Sequence, residues 1–241
     1  MTIEAVVWDI DDTLFDYAGA DTAGMRAHLA AEGVLDHHES AAAALAEWKR
    51  ITQVHWARCE AGETDFLGQR RDRVREFLGT RLDDGQADAW FERYVVHYEA
   101  AWSLFPDSLP ALDALTGHYR QAVLSNSALP NQEYKLRTLG VRERFEAVLC
   151  AVELGVAKPE AAAFLAVAEA LGLPPERIAY VGNEPDIDAR GARDAGMLGI
   201  WLDRLNSPLP TPSGVRRIST LGELQALLGG HTRFGAPSTF G

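Results

Sequence analysis

The stretch Ala5-Val-Val-Trp8-Asp9-Ile10-Asp11-Asp12-Thr13-Leu14 sets the architecture, because four apolar residues run directly into a turn rich in aspartate. Short apolar runs bounded by turn residues are typical of buried strands in a parallel sheet. Open α/β sheets bind their ligands at the carboxyl ends of such strands. We therefore expect Asp9 and Asp11 to lie at the floor of a crevice.

From residue 104 onward, similar apolar runs alternate with helical patterns, as in successive βα units. Asp107 is predicted to cap one of these helices, and another is predicted to open at Pro159 and to stop at Gly172. The predicted fold class is α/β, with a Rossmann-like parallel sheet and helices on both faces. The predicted strands cover residues 5–8, 121–124, 147–150, 178–181, 198–202 and a weaker run near 217–218.

Residues 17–103 follow a different pattern, since they contain no β-branched runs and every periodic stretch is helical. Four of the six tryptophans fall in this segment, on stripes at helical spacing that indicate a small helical core. The sequence therefore predicts a core domain over residues 1–16 and 104–228, with an all-α domain over 17–103 inserted into it. Residues 229–241, rich in Gly, Ser, Thr and Pro, are predicted to form a flexible tail.

The composition excludes several classes of protein. The 241 residues include 23 Lys and Arg against 35 Asp and Glu, and the resulting net charge of −12 disfavours nucleic-acid binding. No apolar stretch is long enough to span a membrane, and the charged N-terminal region does not resemble a signal peptide. Cys59 and Cys150 form no CxxC pair, so a disulfide framework is not indicated. We expect a cytoplasmic protein with no nucleic-acid or membrane partner.

The two aspartates that follow the first strand suit phosphoryl-transfer chemistry. One of Asp9 and Asp11 can act as a nucleophile that forms an aspartyl-phosphate, while the other exchanges protons with the leaving group and then with water. Two carboxylates this close repel each other, which favours a bound cation or a proton on one of them. A turn that is merely rich in aspartate is the structural alternative for the same residues.

Four short motifs, taken in order, resemble those of the haloacid dehalogenase superfamily in its phosphatase form. Asp9-x-Asp11-x-Thr13-Leu14 is similar to the first motif. Ser125-Asn126, directly after a predicted strand, resembles the second motif, and Lys158-Pro159, at a predicted helix start, resembles the third. The segment 182–188 resembles the acidic fourth motif. The resemblance extends over residues 1 to about 228.

The resemblance implies a role for each of these residues. Asp9 is the implied nucleophile and Asp11 the implied general acid and base. The implied phosphate-binding residues are Thr13, Ser125, Asn126 and Lys158. Mg²⁺ is the implied cofactor, because its candidate ligands offer oxygen atoms and include no His or Cys. Those candidate ligands are Asp9, Asp11, Asn183, Glu184 and Asp188.

One position departs from the family pattern. Where the family has Gly-Asp, this chain has Gly182-Asn183, so a neutral amide stands in place of a charged metal ligand. The family pattern places its second acid at Asp188, and Glu184 is the other candidate for the stronger ligand.

The helical insertion of residues 17–103 is similar, in position and character, to the α-helical cap that some members of the superfamily carry between the first two motifs. The resemblance implies that this cap closes over the site and selects the substrate. Within it, the run Gln69–Arg75 places Arg70 and Arg73 on one helix face and Arg71 and Arg75 on another. A solvated helix face is the favoured interpretation, with contact to an anionic substrate as the alternative.

The predicted function is that of a Mg²⁺-dependent phosphatase, which hydrolyses a small phosphorylated metabolite, a phosphomonoester, through an aspartyl-phosphate. In this superfamily a haloacid dehalogenase lacks the second acid, so Asp11 argues against that activity. A phosphomutase with the same pair of aspartates stays open. A non-catalytic protein that binds a phosphorylated metabolite is the alternative from another class.

Overall fold

The computed structural model describes residues 2–229, except for the side chains of residues 36, 37 and 60. Its strands are β1 (Ala5–Trp8), β2 (Arg120–Ser125), β3 (Ala147–Cys150), β4 (Ile178–Gly182), β5 (Leu198–Leu202) and β6 (Arg216–Ile218). They form one sheet in the order β3-β2-β1-β4-β5-β6, and every adjacent pair is parallel. The predicted α/β class is confirmed, and each predicted strand lies within one residue of its observed bounds.

The helices of the described residues are α1 (Tyr17–Ala31), α2 (Ala41–Glu60), α3 (Phe66–Leu78), α4 (Asp84–Ala100), α5 (Ser108–Leu115), α6 (Leu129–Thr138), α7 (Ala151–Leu154), α8 (Ala161–Leu171), α9 (Gly191–Asp194) and α10 (Leu224–Gly229). α8 begins two residues after Pro159 and ends, as predicted, at Gly172, whose φ is 60°. Gly229, which the sequence assigns to the tail, belongs to α10, and the rest of the predicted tail lies outside the described residues. Within the described range, no helix combines the length and the apolar character needed to cross a lipid bilayer.

Helices pack on both faces of the sheet. On one face, Ala5 of β1 joins a buried cluster that includes Phe164 of α8. Side chains alternate along a strand, so Trp8 points to the opposite face. There its Nε1 donates to Gln121 Oε1 at 3.1 Å, and Gln121 Nε2 donates to the Leu112 carbonyl of α5 at 3.2 Å. β1 is buried along its whole length, as befits a strand in the middle of a covered sheet.

The chain forms two compact units. The sheet unit comprises the described residues up to Asp16 and from Ser103 onward, and the helical unit is Tyr17–Trp102. The helical unit has its own hydrophobic core, in which Trp48 of α2 and Trp90 of α4 are buried. Asp16 N donates to the Ser103 carbonyl at 3.1 Å, so the chain leaves and re-enters the sheet unit at adjacent residues.

Asp107 occupies the predicted position before α5, but its side chain does not cap that helix. Its carboxylate instead accepts hydrogen bonds from the Arg204 guanidinium at 2.9 and 3.0 Å and from Leu221 N at 2.9 Å. The prediction of a side-chain cap is wrong because these partners, from distant parts of the sequence, compete for the same oxygens. A charged guanidinium is the stronger partner.

Candidate active site

The predicted site residues lie at the carboxyl edge of the sheet. From β1, the sheet extends to one side through β2 and β3 and to the other through β4, β5 and β6, so the strand order changes direction beside β1. Open α/β sheets place their ligand site at such a switch point. Asp9 and Asp11 follow β1, Ser125 ends β2, and Asn183 follows β4.

Asp9 is 7% exposed, and both of its carboxylate oxygens accept hydrogen bonds. Lys158 Nζ donates to Oδ1 at 2.8 Å, and Thr13 Oγ1 donates to Oδ2 at 2.9 Å. Burial raises the pKa of Asp9 to about 7; the Lys158 ammonium opposes this rise, whereas the neighbouring Asp188 adds to it. Asp9 is therefore an oriented carboxylate in contact with a fixed ammonium group, as a nucleophile toward a phosphoryl group requires.

The turn after β1 brings Thr13 back to Asp9. The Ile10 carbonyl accepts hydrogen bonds from the backbone N–H groups of Thr13 and Phe15, at 3.2 and 2.9 Å. Asp12 takes a φ of 58°, in the left-handed region that aspartate tolerates better than most residues. The aspartate-rich sequence thus serves the turn as well as the site.

Lys158 is 5% exposed, and its Nζ donates three hydrogen bonds. The acceptors are Asp9 Oδ1 at 2.8 Å, Asp188 Oδ1 at 2.7 Å and Tyr180 Oη at 2.8 Å. Burial alone would lower the pKa of Lys158, but the Asp188 and Asp9 carboxylates raise it well above its ordinary value. The Tyr180 hydroxyl in turn donates to the Leu124 carbonyl at 2.9 Å. Lys158 is thus a charged ammonium fixed on three sides.

Asn126 holds the loop that presents Lys158. Its Nδ2 donates to the Lys158 carbonyl at 2.9 Å, and its Oδ1 accepts from Lys158 N at 2.8 Å. Both ends of the side-chain amide are therefore engaged with the backbone of one residue. This side chain positions the lysine, and its predicted contact with phosphate stays a prediction.

Asp188 is buried, and both of its carboxylate oxygens are engaged. Oδ1 accepts from Lys158, and Oδ2 accepts from Glu184 N at 3.0 Å. Gly182 permits this close approach, because a Cβ at that position would lie 2.3 Å from Asp188 Oδ2. Glu184 takes part through its backbone, while the residue itself is exposed.

Asp11 is held by two side chains of α6 that the sequence analysis did not single out. Gln132 Nε2 donates to Asp11 Oδ2 at 3.0 Å and to Ser125 Oγ at 3.2 Å, and Lys135 Nζ pairs with Asp11 Oδ1. Both α6 side chains are buried, and the Lys135 ammonium also lies 4.4 Å from the centroid of the Phe15 ring. Both oxygens of Asp11 are therefore positioned by side chains of α6.

Asn183 faces Asp9 across the Thr13 hydroxyl. Thr13 Oγ1 lies 2.9 Å from Asp9 Oδ2 and 3.4 Å from Asn183 Oδ1. Trp201 Nε1 donates to the Asn183 carbonyl at 3.0 Å and so fixes the loop after β4. Thr13, which was expected to bind phosphate, is fully buried and orients the Asp9 carboxylate.

The donor atoms near Asp9 suit a hard cation. In the part of the chain whose side chains are described, no three His, Cys, Asp or Glu residues are arranged to hold a metal ion, and position 183 carries an amide. The carboxylate of Asp9 and the amide oxygen of Asn183 are both oxygen ligands of the kind that Mg²⁺ prefers. The chemistry of the donor set therefore fits Mg²⁺, with a smaller protein charge than an all-carboxylate site would supply.

The chain is similar to known hydrolases over most of its length. A model of the haloacid dehalogenase-like hydrolases matches residues 3–196. A glyceraldehyde 3-phosphate phosphatase of Methanopyrus kandleri is 30% identical over 210 residues, which cover 84% of each chain. A phosphoserine phosphatase of Thermus thermophilus is 38% identical over 104 residues, which cover 43% of this chain and 42% of that enzyme.

The fold also matches a solved structure. The magnesium-bound hydrolase YfnB of Bacillus subtilis aligns with a TM-score of 0.77 at 20% sequence identity. The alignment covers 95% of this chain and 99% of that one. The two chains therefore share the same fold.

Proposed function

The chain belongs to the haloacid dehalogenase-like hydrolases, and from that premise we propose that it hydrolyses a small phosphomonoester through an aspartyl-phosphate formed on Asp9. The observation that carries the proposal is the Asp9 carboxylate, held between Lys158 and Thr13 at the end of β1. The relatives named above support it, because their names specify phosphatases of phosphoserine and glyceraldehyde 3-phosphate.

The first step is transfer of the phosphoryl group to Asp9. A carboxylate oxygen of Asp9 attacks phosphorus, and the bond between phosphorus and the ester oxygen breaks. Asp11, when protonated, gives its proton to the leaving oxygen, so that an alcohol departs. Lys158 balances the negative charge of the phosphoryl oxygens as a positive group already in contact with the nucleophile.

The second step returns the enzyme to its starting state. Asp11, now a carboxylate, takes a proton from water, and the water oxygen attacks the phosphorus of the aspartyl-phosphate. The bond between phosphorus and the Asp9 oxygen breaks, which releases inorganic phosphate and restores the carboxylate. The contacts of Asp11 with Gln132 and Lys135 support its role in both steps, since they fix the position of its carboxyl group.

Asp9, Asp11 and Asn183 are the residues that we propose to hold Mg²⁺. When bound, the ion supplies positive charge that offsets the charge of the transferring phosphoryl group. Asp188, whose two oxygens accept from Lys158 and Glu184 N, and Glu184 are the further candidates that the family resemblance implies. Asp188 also holds Lys158 in place in this arrangement.

We further propose that the enzyme acts in the cytoplasm on a free metabolite. Cys59 and Cys150 form no disulfide, as expected of a reducing compartment. The net charge of −12 disfavours binding to nucleic acid, whose backbone is also negatively charged.

The proposal is tested by phosphate release from a panel of small phosphomonoesters, measured with and without Mg²⁺. Asp9→Asn should lower the rate to the background, because an amide does not attack phosphorus. Asp12→Asn is the matched control, since the same change is made three residues away and asparagine also tolerates a left-handed φ. Mg²⁺-dependent release by Asp9→Asn at the wild-type rate would overturn the mechanism.

A further inference from the structure

α3 carries arginines on two faces, and these faces have different surroundings. Arg71 donates to Asp88 at 2.6 and 2.8 Å and to Asp84 at 2.8 Å. Arg75 donates to Asp84 at 2.5 Å and to the Leu82 carbonyl at 3.0 Å. This face is the partly exposed, ion-paired surface that the sequence predicts for the whole run.

The other face does not conform to that expectation. Arg73 is 3% exposed, and its guanidinium lies 4.6 Å from the Trp48 ring and 5.3 Å from the centroid of the Phe91 ring. Among the described side chains the guanidinium forms no ion pair, and its Nε has no hydrogen-bond acceptor. A solvated face is therefore the wrong interpretation for Arg73.

Arg70 converges on the same ring. Its guanidinium lies 4.8 Å from the Phe91 centroid and 4.3 Å from the Phe66 centroid. Burial lowers the pKa of Arg70, and the positive charge of Arg73 lowers it further. The part of the chain that the structure describes supplies no carboxylate in ion-pair contact with either arginine, so two like charges share one aromatic surface.

Asp21 does not relieve this arrangement. Burial lowers the pKa of Arg73, and the Asp21 carboxylate is among the groups that oppose this shift. Its Oδ1 accepts the Tyr94 hydroxyl at 2.6 Å, and no ion pair joins it to Arg73 among the described side chains. Burial of a guanidinium without a charged partner is strongly unfavourable, and stacking on an aromatic ring offsets only part of that cost. The positive charges of Arg70 and Arg73 would therefore be stabilised by a bound negative group.

We propose that Arg70 and Arg73 form an oxyanion-binding site within the helical unit, which takes a carboxylate or a phosphate. A guanidinium presents a planar fork of N–H donors that matches either group in a bidentate manner. The rings of Trp48, Phe66 and Phe91 provide apolar walls, so the anion is best carried on a compact organic molecule. The site lies outside the residues of the hydrolytic reaction.

The site is tested on the full chain by thermal unfolding during titration with sodium sulfate, at constant ionic strength. Arg73→Met should move the midpoint of the sulfate-dependent rise in Tm to at least about tenfold higher sulfate, because hydrogen bonds between charged groups are lost. Arg71→Met is the matched control and should keep the wild-type response. Any sulfate held by Lys158 contributes equally to all three proteins.

Two further observations separate a ligand site from a purely structural arginine. Without sulfate, Arg73→Met should unfold at the wild-type temperature or above it, since an uncompensated buried charge has been removed. Arg70→Met, at a half-buried position, repeats the titration should Arg73→Met fail to fold. A wild-type sulfate response in both variants would overturn the proposal.

The chemical class of the oxyanion is found by repeating the thermal titration with other anions. Sodium benzoate and sodium phosphate replace sulfate in turn, again at constant ionic strength. Each anion that the site accepts should raise Tm in the wild type and in Arg71→Met at concentrations at least about tenfold lower than in Arg73→Met. These titrations need no turnover, so failure of the hydrolytic proposal leaves them intact.

Discussion

Lys135 and Gln132 show at the scale of single residues how the second aspartate is controlled. Lys135→Met removes the ammonium that pairs with Asp11, while Gln132 still donates to the other carboxylate oxygen. We expect kcat to fall about tenfold or more, because general acid and base catalysis needs a positioned proton carrier. KM should stay within a factor of about three, because Asp9 and Lys158 are untouched. Steady-state phosphate release measures both constants.

The control for this prediction lies two residues further along α6. Arg137 pairs with Glu133 at the surface, and its side chain is 70% exposed, so Arg137→Met should leave kcat and KM unchanged. A wild-type kcat in Lys135→Met would show that Asp11 does not depend on Lys135.

The sequence identifies the residues that end strands, and it does not identify those that reach them from a helix. Asp9, Ser125 and Asn183 follow apolar runs, so their common edge follows from the parallel topology alone. Gln132 and Lys135 sit in a polar helix with no motif around them, and their inward direction depends on how α6 packs beside β3. The sequence predicts that Asn126 follows β2, and the structure agrees. Its hydrogen bond to the Lys158 backbone was not predictable, because the two residues are 32 positions apart and meet only in the folded chain.

At the scale of elements, the contact between α1 and α4 contains a buried histidine. His28 of α1 lies with its ring 4.3 Å from the Trp90 ring of α4, and neither ring nitrogen has a hydrogen-bond partner among the described residues. Burial lowers the pKa of His28 to about 4; Glu32 opposes the shift, and His97 and Arg93 add to it. The folded protein therefore keeps this histidine neutral at a pH where the unfolded chain protonates it.

This difference predicts the direction of a pH effect. As pH falls from 6.5 to about 4, the unfolded state gains a proton that the folded state does not, so His28 lowers the free energy of unfolding by about 3 kcal/mol. Below pH 4 both states are protonated, and the loss levels off. Denaturant unfolding of His28→Phe at several pH values should show a correspondingly smaller decrease.

The comparison for His28→Phe is His118→Phe, which changes an exposed histidine of the sheet unit. That variant should follow the wild-type pH dependence. An equal acid sensitivity in His28→Phe and the wild type would contradict a neutral buried ring. The helical pattern predicts the stripes of α2 and α4, yet it gives no sign that a histidine completes the packing of α1.

At the scale of the molecule, the helical unit has what an independent domain requires. Its core is assembled from Met25, Trp48, Val74 and Trp90, all within Tyr17–Trp102. A contiguous segment with its own core is expected to fold alone. We therefore expect the isolated segment 17–102 to be helical by circular dichroism and to unfold cooperatively on heating.

Trp48→Ala in the same segment provides the comparison. Removing this buried ring is expected to destabilise the segment by about 3–5 kcal/mol, which is enough to abolish cooperative unfolding in a small domain. A wild-type segment that lacks helical signal would refute its independence. Division into two units is expected from the change of sequence pattern near residues 17 and 103, and the structure assigns Ser103 to the sheet unit.

The hydrogen bond between Asp16 N and the Ser103 carbonyl has a consequence for how such proteins diversify. Phe15 and Leu104 form an antiparallel bridge beside it, so backbone pairing joins the two chain segments that lead into and out of the helical unit. A different module with closely spaced termini can be spliced between them without altering the register of the six strands. The helical unit can therefore be replaced, in evolution or by design, while Asp9 and Lys158 of the sheet unit keep their positions.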